Sequence, residues 1–128
     1  MVARPSNPSS TDVREWAYDV AAPEPDQDWD LTLAFARHEL DYLELASDPQ
    51  CPRRKFFLRI LYLIVGDAAR NGFKSPSEPI IRGFLERAEK FRHPDIQLWR
   101  QRSLALLKDR GAVDYNLWCA GGYANSAT

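Results

Sequence analysis

The residues of this chain whose types suit chemistry are few: His38, His93, Cys51, Cys119 and Asp67, an acid beside a long apolar run. Histidine changes charge near neutral pH and is the commonest metal ligand, so the two histidines come first. Neither belongs to an HExxH or ExxH pair, although Glu39 follows His38 directly, and no metal site is read from them. His38 is expected as a buried polar residue, hydrogen-bonded within the core or at its rim. Cys51 and Cys119 lie far apart with no CxxC or Cys/His cluster, which reads as two free thiols, buried or half-buried. Asp67 is the second buried polar candidate, with Arg70 three positions on and in reach of an ion pair. Glycine-rich phosphate loops and the GxSxG nucleophile turn are absent from the sequence, so no cofactor is expected.

One spacing carries a family likeness. Arg87-Ala-Glu-Lys-Phe-Arg92-His93 sets an arginine six positions before a histidine, near the junction of two expected helices. It resembles the R-x(4-6)-H motif of the HEPN ribonucleases, although residue 88 is alanine where that family usually has a polar side chain. The resemblance implies metal-independent RNA cleavage at a dimer interface, with His93 in acid/base or phosphate-orienting work and Arg87 stabilising phosphate charge. The residues by themselves read as a solvated basic helix end with His93 as a cap before Pro94.

Charge is divided along the chain. Residues 1–51 carry three basic and eleven acidic side chains, whereas residues 52–111 carry fourteen basic and six acidic ones, within a total of −1. Such asymmetry suits either a polyanion-binding surface on the basic helices or an acidic half lying against a basic half. The second reading is the expected one, and nucleic acid remains the alternative partner of the basic helices.

These residues need elements to position them. At 128 residues and 45% hydrophobic composition the chain supports one domain with a real core. The centre is PRRKFFLRILYLIVGDAARN, residues 52–71, apolar on nearly every side from Phe56 to Val65. As a helix it gathers Lys55, Arg59, Tyr62, Gly66 and Arg70 within about 80° and must be covered elsewhere by neighbours, with Gly66 admitting a close one. A first helix is expected from Asp30 to Ala46, with Leu31, Phe35, His38, Tyr42 and Leu45 on one face. A third starts at Ser75 or Ser77 and presents Ile80, Ile81, Phe84, Leu85, Ala88 and Phe91. A fourth runs from Pro94 to about Arg110 with Ile96, Trp99, Ser103, Leu106 and Leu107 inward.

The ends are read differently. Residues 1–27 are rich in Pro, Ser, Asp and Ala and read as a mostly flexible acidic arm, within which Trp16, Tyr18 and Val20 form a short extended segment for docking. Residues 113–119 are expected to pack down and residues 121–128 to form a flexible tail.

The reading is all-α: a four-helix up-and-down bundle over residues 28–120. The longest apolar run is too short to span a bilayer and the start of the chain has no signal-peptide core, so a soluble, cytoplasmic protein is expected. The function expected is a small non-enzymatic protein-interaction module, such as an adaptor, regulator or immunity-type inhibitor. Trp16 and Tyr18 are its partner-binding candidates, and its oligomeric state, a homodimer included, is open. A HEPN-like ribonuclease or nucleic-acid-binding domain is the alternative.

Overall fold

The apolar stretch near the middle of the sequence forms the longest helix, α4 (Arg54–Arg70), and the other elements are arranged by how they cover it. A computed structural model describes residues 8–25 and 27–126. In chain order the remaining helices are α1 (Ser10–Tyr18), α2 (Trp29–Ala36), α3 (Glu39–Ser47), α5 (Glu78–Ala88), α6 (Pro94–Lys108), α7 (Tyr115–Trp118) and α8 (Gly122–Ser126), with a 3-10 turn at Arg110–Ala112. The protein is all-α, and no strand occurs among the described residues.

The fold follows from the shape of α4. Phe57, Leu58 and every residue from Ile60 to Gly66 are buried, so the helix needs cover on all sides. Helices α2, α3 and α6 supply most of it. The remaining stripe, which holds Tyr62 and Gly66, is closed by the C-terminal helices. Trp118 and Tyr123 pack on the Tyr62 ring with centroids 5.4 and 5.2 Å away. At Gly66 an added Cβ would lie 2.6 Å from Trp118 Cβ and 2.9 Å from Cys119 Sγ, so this glycine is what lets α7 sit against α4. Arg102 completes the lid, donating to Tyr62 Oη at 2.9 Å while its guanidinium lies 3.9 Å from the Tyr123 ring centroid.

Three expectations change. The single helix over 30–46 is two helices, broken at Arg37, whose φ of 64° is left-handed, and at His38. The break is satisfied locally: Tyr42 Oη donates to the Leu33 carbonyl at 2.5 Å and Arg37 pairs with Glu39. It also separates the face expected to hold Leu31, Phe35, His38, Tyr42 and Leu45. Tyr42 and Leu45 are buried, whereas Leu31 and Phe35 are exposed.

The extended segment expected around Trp16 is helical. Ser9 and Asp12 form a reciprocal capping box at the start of α1, and Val13, Trp16 and Ala17 are buried. This helix falls inside the stretch read as a flexible arm; residues 1–7 lie outside the described residues. At the other end α8 falls inside the stretch read as a tail, and its Ala124 is buried.

Third, in α5 Ser77 is the N-cap, with Pro79 in the first turn, but Ile80 is exposed and Phe91 only half-buried. The inward residues of α6 are as expected: Ile96, Trp99, Ser103, Leu106 and Leu107 are all buried.

The charge division follows its expectation, since α2 and α3 of the acidic part lie against α4 of the basic part. Asp30 with Arg59, at 3.5 Å, joins the acidic and basic parts of the chain. The closer pairs form within one part: Arg14 with Asp41 and Glu44, Arg54 with Asp95, Arg70 with Asp67, and Arg82 with Glu78. The two parts meet through the packing of α2 and α3 on α4. Arg53 works instead as a clamp, donating to the carbonyls of Trp16, Asp19 and Ala22 at 3.1, 3.0 and 2.6 Å while lying 3.9 Å above the Trp16 ring. It meets the carbonyl end of α1, where a cation opposes the helix dipole favourably.

Candidate functional site

Helix α2 carries more apolar surface than the core uses. Its sequence, WDLTLAFA, puts Trp29 and Leu33 one helical turn apart on one face, and both are fully buried. At about 100° per residue, Leu31 and Phe35 are also one turn apart, on the side opposite Trp29 and Leu33. That second apolar pair is open: Leu31 is 41% exposed and Phe35 76%. A helix that is apolar on two opposite faces has one face matched by its own core and one unmatched.

The open face of α2 does not stand alone. Leu31, Ala34 and Phe35 form one wall of a groove whose other side is Leu63, Ile64 and Asp67 of α4, with Ser75 and Pro76 of the following turn at one end. Arg37 stands on the α2 side of the rim and Asp67 on the α4 side. Each has a neighbour of opposite sign, Glu39 for Arg37 and Arg70 for Asp67, the latter pair at 2.6 Å. The rim therefore holds both signs of charge around an apolar floor, the arrangement of polar edge and apolar centre found in protein-binding patches.

Asp67 is thus half-buried on the groove, paired with Arg70 as its spacing suggested. His38 is half-buried at the α2–α3 break, where its Nε2 lies 2.8 Å from the Pro8 carbonyl oxygen and ties the segment before α1 to the break. His93 is the N-cap of α6: its Nδ1 accepts the Asp95 N–H at 3.1 Å. With that lone pair engaged, Nε2 is the ring nitrogen left for any other partner. Arg87 is exposed in the last turn of α5 and forms no ion pair among the described residues. The two residues end up on successive helix termini, each with a sufficient local role.

The two N-terminal aromatics separate. Trp16 docks on its own domain: its ring packs edge-on against Trp29, Phe56 and Phe57, and its Nε1 donates to the Pro23 carbonyl at 3.0 Å. Tyr18 keeps an exposed ring, with its hydroxyl donating to Asp48 at 2.5 Å. That bond, with partial burial and the charge of Asp48 behind it, pushes the phenol up to about 12. Burial, by contrast, is what raises both thiols, Cys51 and Cys119, which are free and enclosed.

Among the described residues, no group of three or more His, Cys, Asp or Glu is placed to hold a metal ion, and no helix is long and apolar enough to cross a membrane. The spacing that puts Leu31 and Phe35 on one face with Tyr42 and Leu45 holds only for an unbroken helix. The available signal was Glu39 and Asp41, two acids that suit a helix N-terminus and mark the start of α3 inside the expected helix. No protein-family model, curated protein or solved structure matches the chain.

Proposed function

We propose that this protein is a small helical protein-interaction module that works by docking, with the groove between α2 and α4 as its contact face. The observation that carries this reading is the doubly apolar α2, which spends Trp29 and Leu33 on the core and leaves Leu31 and Phe35 open beside Leu63, Ile64 and Pro76. Scattered exposed apolar residues are ordinary on a protein surface; an aromatic and a leucine one turn apart on the wall of an apolar groove are concentrated. Aromatic side chains at the centre of such patches contribute most to binding, because they bury large area at a low cost in side-chain entropy. Adaptor, regulator and inhibitor roles all use a face of this kind, and the reading requires no catalytic group.

The test is the native size of the protein in a fresh extract of the cell that makes it. The wild-type chain is expected to elute well above its own 14.7 kDa, before and after nuclease treatment, and Phe35→Glu to elute as the free chain. Ile80→Glu replaces an exposed apolar residue of α5 that does not line the groove and should elute as wild type. A wild-type chain that elutes at its own mass, or a complex that nuclease dissolves, removes the docking reading; the latter result favours the basic helices and the nucleic-acid alternative.

A further inference from the structure

We propose that residues 115–126 form a strap that lifts off α4 as a unit while the rest of the domain stays folded, uncovering a cationic face with Tyr62 at its centre.

The strap has little that holds it together by itself. Its helices α7 and α8 have four and five residues, whereas a helix needs roughly 12 to 15 to persist alone in water. No charged side chain occurs from Tyr115 to Ser126, so none of its own side chains ties it down with an ion pair. What holds it is contact with one side of α4. Trp118 and Tyr123 lie on the Tyr62 ring, Trp118 and Cys119 meet Gly66, Gly121 approaches the Arg59 side chain, and the Arg70 guanidinium lies 4.9 Å from the Tyr115 ring centroid.

Those four residues, Arg59, Tyr62, Gly66 and Arg70, share the polar stripe of α4, the side on which uncovering costs least. The other sides are covered by α2, α3 and α6. The polar groups of the stripe also have partners within the body. Arg102 donates to Tyr62 Oη at 2.9 Å, Arg70 to Asp67 at 2.6 Å, and Arg59 faces Asp30 at 3.5 Å. Lifting the strap therefore breaks ring contacts and apolar packing and leaves these pairs made.

Both states are provided for. Arg110 pairs with Glu78 and lies 5.2 Å from the Phe73 ring centroid, which pins the 3-10 turn to the body, while Gly111, Ala112 and Asp114 are exposed and serve as the hinge. The closed state is matched by Gly66, where a larger residue would meet Trp118. Closed, Trp118 and Tyr123 fill the stripe; open, Tyr62 and Arg102 face solvent with Arg59 and Arg70 on either side.

Two buried thiols report the motion separately. Cys119 lies under the strap, and Cys51 lies in the body with its Sγ 3.8 Å from the Ala17 carbonyl oxygen. Alkylation of the wild-type chain by iodoacetamide, resolved by site in peptide mass spectra, is the test. Global unfolding exposes both thiols and grows steeply with urea, whereas strap opening exposes Cys119 and uncovers little surface. Below the unfolding transition, Cys119 should react at least about tenfold faster than the unfolding equilibrium from circular dichroism allows, at a rate nearly flat in urea. Gly66→Ala, which crowds the closed strap, should raise that rate about tenfold. Phe84→Leu, at the contact with Trp99, should raise the unfolding constant about tenfold and leave the Cys119 rate unmoved. A Cys119 reaction that follows global unfolding across the urea series overturns the proposal, as does one that rises in step with unfolding in Phe84→Leu. The urea series needs no substitution, so a variant that fails to fold leaves the test intact.

Discussion

Replacing glycine by alanine in two helices of this protein should change stability in opposite directions. Gly66 lies inside α4 and Gly83 inside α5, and in an exposed helix interior the change stabilises by about 1 kcal/mol, because alanine loses less backbone freedom on folding. At Gly83 nothing lies within 4 Å of the added Cβ, so the full propensity gain is expected. At Gly66 the new methyl group meets Trp118 Cβ at 2.6 Å and Cys119 Sγ at 2.9 Å. Trp118 Cβ is fixed to its own backbone and cannot swing aside, so α7 must move away from α4. Overpacking of this kind costs about 1 to 3 kcal/mol, and displacing Trp118 from the Tyr62 ring adds to it. The net expectation is a loss of about 1 to 2 kcal/mol for Gly66→Ala against a gain of about 0.5 to 1 for Gly83→Ala. Urea unfolding followed by far-ultraviolet circular dichroism measures both, with the midpoint shifting at constant slope. Tryptophan fluorescence of native Gly66→Ala should also change as Trp118 moves, while that of Gly83→Ala should not. If Gly66→Ala stabilises the protein as much as Gly83→Ala, the packing of α7 on the central helix is wrong.

Other outcomes follow from particular contacts. Tyr18 should ionise late, near pH 12, so the phenolate absorbance lost in Tyr18→Phe should titrate there, and Asp48→Asn should return it toward 10.0. The sign for stability has two sides: the Tyr18–Asp48 contribution is complete at neutral pH, is lost as pH rises through about 12 because the phenol is raised, and is lost in acid as Asp48, lowered by the same bond, takes up its proton, as denaturation midpoints in alkali and acid should register. Phe84, fully buried and tilted on Trp99 at 5.0 Å, should cost about 3 to 5 kcal/mol on truncation to alanine; a loss under about 1 in urea unfolding removes α5 from the core. His93→Ala should lose a helix cap, about 1 kcal/mol by the same method, and leave the native complex in cell extracts intact; loss of an RNA-cleaving activity without unfolding would instead restore the ribonuclease reading.

What the sequence disclosed depends on how far local patterns decide structure. The central helix, a helix start at Ser75 or Ser77, the α6 face and the close approach at Gly66 were legible, because an all-round apolar run, a Ser- and Pro-rich start and a glycine amid large residues each have few alternatives. The break at Arg37 was not, because a positive φ falls there on arginine, with no glycine or proline to mark it. That one turn moved Leu31 and Phe35 from the expected core to the groove. Helix α1 was obscured by the Pro and Ser around it, although Ser9 and Asp12 already had capping-box spacing. Trp16, a partner-binding candidate from its sequence, packs on α4 through an edge-on ring contact and the Arg53 clamp, long-range contacts that spacing does not reveal.

The claim that the α2–α4 groove is the working face is tested most directly by a photo-crosslinking scan in the native cell. A benzophenone side chain is placed singly at Phe35, at Tyr18, at Arg87 and at Leu98, all of them exposed. Position 35 should yield a discrete protein adduct on illumination, whether with another chain of this protein or with a different one, and positions 87 and 98 should yield none. Silence at position 35 beside a strong adduct at Arg87, to nucleic acid or to protein, would contradict the account and move the working face to the basic end of α5.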